Sequence, residues 1–204
     1  MTLDSLRPRA EKAMVPLAGA LERIGVTPDM LSVASLISAV LAGVLFCYTP
    51  SKTFLFLAAV MVFLNAFFDA ADGAVAAQIG ATKRGDFLDH VLDRYSDIFI
   101  ICGIFFGGYA PWQVGVVAIT GVLLTSYMGT QAQALDIERY YGGILGRADR
   151  LVIIFLAAIA NVVYVNEIYG MPILGWMLVA VAIISHLTAI QRFAYIWRAL
   201  SKQG

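Results

Sequence analysis

Charged residues are scarce in this chain. Asp, Glu, Lys and Arg together make up 14% of its 204 residues, whereas hydrophobic residues make up 60%. Soluble globular domains carry about 25% charged residues, and the mean hydropathy here is +0.81. This composition excludes an ordinary soluble domain and indicates a protein that crosses a membrane several times.

Cysteine is almost absent as well, since the chain has only Cys47 and Cys102. Both lie within apolar runs, and neither belongs to a C-x2-C motif or to a Cys/His pattern with the spacing of a zinc site. We therefore interpret both as small core residues. The sequence predicts neither a disulfide nor a zinc site, and the cysteines indicate no redox compartment.

The first thirty residues lack the uninterrupted apolar stretch and the small-residue cleavage site of a signal peptide. We therefore expect the N-terminus to be retained. Within residues 4–22, basic residues alternate with Leu, Met, Val and Ala at helical spacing. This pattern predicts an amphipathic helix that lies in the membrane interface, and the alternative is a solvated cytosolic tail.

Long apolar runs are abundant. Six of them reach or approach the roughly 20 residues that a helix needs to span the hydrocarbon core, and they cover residues 31–48, 53–75, 87–107, 111–134, 150–166 and 172–196. We predict an all-α integral membrane protein with six transmembrane helices and an N-terminal interfacial amphipathic helix. We expect one domain over 1–204, in which 1–30 form the interfacial helix and its lead-in and 31–197 form the six-helix bundle.

The distribution of basic residues predicts the orientation. Six crossings put both termini on one side, and grouping them with the loops near 76–86 and 135–150 leaves only Lys52 among the basic residues on the other side. Segments on the cytoplasmic side are enriched in Lys and Arg. We therefore predict a multi-pass protein of the cell (plasma) membrane whose basic side faces the cytosol.

Aspartates cluster near the cytosolic ends of the second and third predicted crossings. Six of the fourteen acidic residues lie there: Asp69, Asp72, Asp86, Asp89, Asp93 and Asp97. The pair Asp69 and Asp72 and the pair Asp89 and Asp93 have helical spacings of three and four residues, so each pair projects from one face of its helix. Ionisable residues at membrane depth are costly, and we interpret this cluster as a functional site.

Cations are needed to neutralise such a cluster. Several carboxylates in a poorly hydrated cleft repel one another strongly. Hard oxygen ligands without His or Cys indicate magnesium, calcium or manganese rather than zinc. His90 points about 100° around the helix from Asp89, and we interpret it as lying outside the ligand set.

Two glycines accompany the aspartates. Gly73 and Gly85 remove side chains at points where backbone would pass close to a ligand, and the alternative for both is close helix packing. Lys83 and Arg84, which lie between them, either pair with phosphates or only satisfy the positive-inside bias.

Two segments resemble the signature of the CDP-alcohol phosphotransferases, which are integral membrane enzymes of phospholipid synthesis. They are D-A-A-D-G-A-V-A from Asp69 to Ala76 and G-D-F-L-D-H-V-L-D from Gly85 to Asp93, and they fill seven of the eight fixed positions of the signature. The segment G-V-T-P-D from Gly25 to Asp29 is similar to the T-P-N segment that precedes the first crossing in the family. The resemblance covers essentially the whole chain.

The sequence departs from the family pattern in two ways. The arginine that follows the motif alanine is Ala77 here, and the spacer before the glycine is one residue shorter than the usual eight. The first change removes a cation expected near the nucleotide phosphates. Either Lys83 or Arg84 then substitutes for it, or the donor is held mainly through metal.

The resemblance implies a metal-dependent transferase. It implies that Asp69, Asp72 and Asp89 bind two divalent cations, Mg²⁺ or Mn²⁺, on the diphosphate of a CDP-linked lipid donor, and that CMP is released. It further implies that Asp93 completes the metal site and is the general base toward a small polar alcohol. Donor nucleotide binding is implied for six residues: Pro28, Asp29, Asp72, Gly73, Ala76 and Gly85. A homodimer is usual in the family, and no nucleic-acid partner is expected.

The acceptor is indicated by arginines. Arg139, Arg147 and Arg150 precede the fifth crossing, and Arg192 lies near the cytosolic end of the sixth. Such guanidiniums suit a phosphate on the acceptor, and the alternative is that they anchor the cytosolic face of the bundle.

Some of these arginines stand in segments that resemble those of one branch of the family. The segment from Gly146 to Arg150 and the pair Gln191-Arg192 resemble positions that bind inositol phosphate in the phosphatidylinositol-phosphate and archaetidylinositol-phosphate synthases. The resemblance thus implies acceptor binding by Arg147, Arg150 and Arg192. In contrast, Gly129 and Gln131 stand where that branch has Lys and Arg, so glycerol 3-phosphate or serine stays open as the acceptor.

Two other classes of protein fit less well. A cation transporter tends to place its carboxylates near the bilayer midplane on broken helices, whereas these lie beside a basic loop. A non-catalytic scaffold gives no reason to keep four aspartates in register.

Overall fold

A computed structural model describes residues 7–48, 51–137 and 142–201. These residues form seven helices: α1 (Arg7–Arg23), α2 (Pro28–Cys47), α3 (Lys52–Ile79), α4 (Lys83–Phe106), α5 (Trp112–Ala134), α6 (Arg147–Val163) and α7 (Ile173–Leu200). The described residues contain no β-strand, only one isolated bridge between Ile168 and Met171. The predicted all-α class is therefore confirmed, and each of the six apolar runs corresponds to one of the helices α2 to α7.

The helices begin where the sequence carries capping residues. Thr27 caps α2 by accepting a hydrogen bond from the Met30 amide, and Pro28 occupies the first turn, where its missing N–H is not needed. Thr82 caps α4 by accepting from the Gly85 amide. Between α3 and α4, Gly80 has a φ of 99°, a conformation that favours glycine because it has no Cβ.

The six helices α2 to α7 pack as a closed ring. In spatial order the ring is α2, α3, α6, α7, α5, α4, and α4 packs against α2 again, while α1 packs against α3. Buried apolar residues of these elements form the main core, which includes Phe46, Val62, Ile101, Ile154 and Leu178. Within the ring, α2 and α3 are antiparallel, because Ser32 contacts Asp72 and Ser35 contacts Asn65. The ring neighbours α2 and α4 are parallel, because Gly43 approaches Gly103 and Phe46 approaches Gly107.

A close crossing joins α2 to α4. A Cβ atom on Gly103 would overlap the backbone of Gly43, and one on Gly43 would lie 2.5 Å from the carbonyl oxygen of Phe99. Small residues allow two membrane helices to approach in this way. The crossing holds α4 against α2 and so positions the aspartates on the N-terminal half of α4.

Polar side chains set the register between α2 and α3. The Asn65 side-chain amide donates to the Ser35 carbonyl oxygen at 3.0 Å and to Ser35 Oγ at 2.8 Å. Ser35 Oγ donates in return to the Asn65 carbonyl oxygen at 3.1 Å. Because buried polar groups need partners, sliding one helix along the other would leave these atoms unpaired.

Four helices of the described chain are long and apolar enough to cross a membrane, namely α2, α3, α5 and α7. The other two helices of the ring, α4 and α6, do not meet this requirement of length and apolarity. The N-terminal half of α4 carries the aspartates together with basic residues, and α6 has only 17 residues. The membrane class is supported by composition and length, and the count of six crossings stays a prediction.

The predicted interfacial segment is helical. It forms α1, in which Pro16 lies inside the helix. The Gln78 side-chain amide of α3 donates to the Val15 carbonyl oxygen at 3.0 Å, and Ala18 is buried in a small cluster with Leu31 and Val75. Its placement in the interface plane also stays a prediction.

Candidate active site

The two aspartate pairs lie at the same end of the ring because α3 ends there, α4 begins there, and both helices pack against α2. Only residues 80–82 separate the end of α3 from the start of α4. Asp69 and Asp72 lie on the last three turns of α3, and Asp89 and Asp93 lie on the first three turns of α4. The N-terminal ends of α2, α4 and α6 lie at the same end of the ring, and helix N-termini carry partial positive charge.

Three carboxylates are arranged as a cation site. Asp69, Asp72 and Asp89 each offer an oxygen atom, and these atoms lie within 4.8 Å of one another. All the donors are hard oxygens, which suit Mg²⁺ and Mn²⁺. The residues therefore fit a divalent metal, as the spacing of the aspartates predicts.

Ser32 of α2 supports this group. Its hydroxyl donates to Asp72 Oδ2 at 2.9 Å, and both side chains are buried. Hydrogen bonds of this kind fix the orientation of a metal-binding carboxylate. Because Ser32 lies on a third helix, three elements of the ring meet at Asp72.

A second group of possible ligands includes a histidine. Ligand atoms of Asp89, His90 and Asp93 also lie within 4.8 Å of one another. His90 Nδ1 is 3.7 Å from Asp89, and His90 Nε2 is 3.4 Å from the exposed Asp86. The sequence argument left His90 outside the ligand set, and the structure brings it to the edge of the cluster.

Arg147 connects the two aspartate pairs. Its Nη1 forms an ion pair with Asp69, and its Nη2 lies 2.9 Å from Asp93. Arg94 adds a second guanidinium at 3.6 Å from Asp93. The sequence placed Arg147 beside an acceptor phosphate, and the structure places it in direct contact with the carboxylates.

The other two predicted acceptor residues have different surroundings. Arg150 is buried, and its Nη2 lies 2.5 Å from Asp97 Oδ2. Arg192 donates from Nε to the Gly142 carbonyl oxygen at 3.1 Å and from Nη1 to the Thr125 carbonyl oxygen at 2.9 Å. Arg150 therefore converges on the carboxylate cluster, whereas Arg192 joins α7 to α5 and to the segment that precedes α6. Arg139 lies outside the described residues.

Residues predicted to contact the nucleotide lie at the starts of α2 and α4. Arg84 Nη2 is 3.3 Å from Asp29 Oδ2. A Cβ on Gly85 would be 3.1 Å from Thr82 Oγ1 and 3.4 Å from Asp29 Oδ1, so the capping hydroxyl and this carboxylate limit the side chain there. The T-P-D segment and the loop before α4 are thus brought together.

The remaining predicted nucleotide residues lie on α3. A Cβ on Gly73 would meet none of the described atoms within 4 Å, so close helix packing does not explain this glycine, and open space lies beside Asp72. Ala76, one turn further along, is half-buried, and its carbonyl oxygen accepts a hydrogen bond from the Gly80 amide.

Ser32 and Arg94 of the site were missed at the sequence level. Ser32 has no motif of its own, and its role depends on the packing of α2 against α3. Asp97 was counted in the aspartate cluster without a role. Its spacing of four residues from Asp93 continues the row Asp89, Asp93, Asp97 along α4, and this was the available signal.

Comparison with known families decides the class of the protein. The model of the CDP-alcohol phosphatidyltransferase family matches residues 25–189, a range that holds α2 to α6, most of α7 and the whole carboxylate cluster. The chain belongs to the CDP-alcohol phosphatidyltransferase family. The predicted resemblance is confirmed, and as a CDP-alcohol phosphatidyltransferase the chain is a divalent-metal-dependent transferase of phospholipid biosynthesis.

Other CDP-alcohol phosphatidyltransferases cover nearly all of the chain. An archaetidylinositol phosphate synthase of Pyrococcus horikoshii is 32% identical over 176 residues, which cover 86% of this chain and 91% of the relative. A phosphatidylinositol phosphate synthase of Streptomyces avermitilis is 32% identical over 203 residues, which cover 92% and 79%.

A solved relative has the same fold. The crystal structure of the phosphatidylinositol phosphate synthase of Mycobacterium tuberculosis with CDP-DAG bound has a TM-score of 0.73 at 26% identity and covers 91% of this chain and 94% of that one. The structure of the same enzyme with manganese and citrate has a TM-score of 0.74 at 27% identity, with coverage of 90% and 88%.

Proposed function

We propose that this chain transfers the phosphatidyl-type group of a CDP-linked lipid to a hydroxyl of an inositol phosphate and releases CMP. The observation that supports this reaction is the cluster of the Asp69, Asp72 and Asp89 carboxylates, which lies within the region matched by the family model. The choice of inositol phosphate as the acceptor is supported by similar relatives, which are named archaetidylinositol phosphate synthase and phosphatidylinositol phosphate synthase. The two names differ in the lipid and share inositol phosphate.

Four aspartates carry the chemistry in this proposal. Asp69, Asp72 and Asp89 hold two divalent cations, Mg²⁺ or Mn²⁺, and Asp93 completes their site. When bound, such cations neutralise charge on the phosphoryl oxygens and on the departing CMP. Donor nucleotide contacts are assigned to Pro28, Asp29, Asp72, Gly73, Ala76 and Gly85, because these residues border the cluster or form the starts of α2 and α4.

Asp93 is the general base in the proposed reaction. It accepts the proton of the acceptor hydroxyl while that oxygen forms a new bond to the lipid-bearing phosphorus, and the diphosphate P–O bond to CMP breaks. Asp93 suits this role because it lies at the edge of the cluster, 2.9 Å from Arg147, which is one of the proposed acceptor-phosphate residues. A positioned base of this kind contributes about 10²- to 10⁴-fold to a rate.

Arg147, Arg150 and Arg192 are the proposed acceptor-phosphate residues. All three lie at the end of the ring that carries the aspartates, and guanidinium groups match phosphate oxygens in geometry and charge. A phosphorylated polyol is therefore favoured over a free alcohol. Glycerol 3-phosphate has the same phosphate and is the first alternative, and serine, which lacks one, is the second.

An acceptor panel tests this assignment. CMP release from a CDP-lipid is measured with inositol phosphate, free inositol, glycerol 3-phosphate and serine, and inositol phosphate is expected to have the highest kcat/KM. Arg147→Gln is expected to raise the KM of the acceptor by about 10- to 100-fold, because a charge-assisted contact is lost, with a smaller change for the donor. Lys52→Gln, at the other end of the bundle, is the control.

Two results would contradict the acceptor site. Equal use of inositol and inositol phosphate would remove the need for a phosphate clamp. A preference for serine over every phosphorylated alcohol would assign the chain to another acceptor class.

For the topology we infer six crossings, with α1 in the membrane interface and the active site at the cytosolic face of the plasma membrane. The side that carries Arg84, Arg147 and Arg198 is the basic side, which supports this orientation. In a variant without Cys47 and Cys102, a cysteine at Glu167 should react with a membrane-impermeant maleimide in intact cells. A cysteine at Arg84 should react only after permeabilisation, and the reverse pattern would invert the orientation.

A homodimer is the proposed assembly, on the basis of the family resemblance. Light scattering of the detergent-solubilised protein, corrected for detergent, should give twice the chain mass of 22.1 kDa. A mass of one chain at all protein concentrations would contradict it.

A further inference from the structure

Asp97 continues the carboxylate row of α4 but differs from the other members in its surroundings. Asp89, Asp93 and Asp97 follow at four-residue spacing and lie along one helix face. The exposed fractions of their side chains fall from 31% to 13% to 2%. Asp89 and Asp93 belong to candidate cation groups, whereas Asp97 belongs to none among the described residues. A cation therefore does not account for Asp97.

Two arginines on the first turn of α6 explain why a buried carboxylate is present at position 97. Arg150 Nη2 lies 2.5 Å from Asp97 Oδ2, and Arg147 Nε lies 3.9 Å from Asp97 Oδ1. Residues three apart on a helix project to the same side, so both guanidiniums lie near one buried carboxylate. Asp97 offsets the repulsion between two cations in surroundings of low polarity.

The contacts of the individual guanidinium nitrogens show how the Arg147 side chain is oriented. Its Nε faces Asp97, while its two terminal nitrogens face Asp69 and Asp93. The carboxylate of Asp97 thus faces the Nε side of the guanidinium as a nearby opposite charge, without a hydrogen bond. The opposite side of the guanidinium points toward the carboxylate cluster. Arg150 Nε is buried and has no hydrogen-bond partner among the described residues.

The backbone that carries the arginines is fixed independently. The Gly146 amide donates to Asp149 Oδ2 at 2.9 Å, and the Leu145 amide donates to Thr188 Oγ1 at 3.2 Å. These bonds fix the start of α6 and tie the preceding residue to α7. With the backbone held in this way, the direction of the Arg150 side chain depends mainly on Asp97. Arg147 is held by Asp69 and Asp93, and Asp97 lies on its Nε side.

We propose that Asp97 is a positioning residue that orients Arg150, and supports the charge of Arg147, for binding of the phosphate of the acceptor alcohol. It touches neither substrate nor metal and acts through the two guanidiniums. The inference rests on the proposed function, because it takes the acceptor to carry a phosphate.

Asp97→Asn tests the role, since asparagine keeps the size of the side chain and one acceptor oxygen but loses the charge. The KM of inositol phosphate is expected to rise by about 10- to 100-fold. The KM of the CDP-lipid and the affinity for Mn²⁺, measured by paramagnetic resonance, are expected to stay unchanged. A residue that served only the fold would not separate these quantities.

Asp136→Asn is the matched control. Asp136 is exposed at the end of α5 and has a φ of 56°, which asparagine also adopts readily. The substitution removes one carboxylate at the same end of the bundle, and all kinetic constants are expected to match those of the wild type.

A double-variant cycle shows whether Asp97 acts through Arg150. If it does, Arg150→Gln and the double variant Asp97→Asn with Arg150→Gln have closely similar acceptor KM values, because the second change removes a contact already lost. Additive effects would show that Asp97 acts elsewhere.

The proposal is overturned if Asp97→Asn leaves the acceptor KM unchanged, or if it raises both KM values together and lowers the melting temperature. Should Asp97→Asn fail to fold, Asp97→Glu keeps the charge and displaces it by one methylene, and the same selective rise in acceptor KM is expected. If neither variant folds, Asp97 serves the fold and the positioning role is wrong.

Failure of the proposed function gives a different result. A wild-type enzyme that uses inositol as well as inositol phosphate has no phosphate clamp, whatever Asp97→Asn does. A wild-type enzyme that requires the phosphate, together with an unchanged acceptor KM in Asp97→Asn, contradicts only the positioning role.

Discussion

Asp93→Asn is expected to lower kcat for CMP release by about 10²- to 10⁴-fold, the contribution of a positioned general base. Asparagine has nearly the same size as aspartate but cannot take up the proton of the acceptor hydroxyl. Because Asp69, Asp72 and Asp89 form a cation group without Asp93, binding of the CDP-lipid is expected to be largely retained. The substitution thus separates chemistry from donor binding.

The measurement pairs two assays on the same preparation. CMP release gives kcat, and equilibrium binding of a CDP-lipid in the presence of Mn²⁺ gives the donor Kd. Asp136→Asn is the control for loss of one carboxylate at this end of the bundle. Transfer at the wild-type rate by Asp93→Asn would remove Asp93 from the mechanism, and loss of donor binding would make it primarily a metal ligand.

Removal of divalent cations is expected to abolish transfer. Mg²⁺ or Mn²⁺ should restore activity after treatment with a chelator, and Zn²⁺ alone should not, because the site consists of hard carboxylate oxygens. Full turnover in excess chelator would contradict the assignment of the aspartates to metal.

Variants of the three-carboxylate cation group should differ in their affinity for Mn²⁺ in a predictable order. Ser32→Ala removes only the hydroxyl that donates to Asp72 at 2.9 Å, and loss of such a supporting bond typically weakens metal binding by about 10- to 100-fold. Asp72→Asn removes a ligand charge and is expected to weaken Mn²⁺ binding more than Ser32→Ala. Paramagnetic resonance of free Mn²⁺ measures both without an activity assay, and equal affinities in the two variants would contradict the order.

Most of the fold class could be predicted from the sequence. Apolar runs that reach or approach membrane-spanning length identify α2 to α7, because a helix satisfies its own backbone hydrogen bonds in lipid. Capping signals such as Thr27 before Pro28 also predict where helices begin. The order of the ring was not predictable, since it depends on contacts such as those between Gly43 and Gly103, which are sixty residues apart in the chain.

The candidate site was predictable where its residues lie on one helix. Spacings of three and four residues place Asp69 with Asp72 and Asp89 with Asp93, because helical geometry alone brings these side chains to one face. The partners that come from other helices were not predictable in this way. Ser32 reaches Asp72 only because α2 packs against α3, and Asp97 meets Arg150 only because the ring brings the start of α6 to α4.

By itself, the sequence determined that this protein is a helical membrane protein with an aspartate cluster of the CDP-alcohol phosphatidyltransferase type. Composition and local periodicity are sufficient for the helical class and for the placement of the aspartates, since these concern neighbours within a turn or two of helix. The family followed from the resemblance of the aspartate motif, which the family model confirms. Only the tertiary structure decided what each arginine contacts. Arg147 meets the cluster, Arg150 is buried on Asp97, and Arg192 holds backbone carbonyls. A long side chain can reach several partners, and the packing of distant helices selects among them.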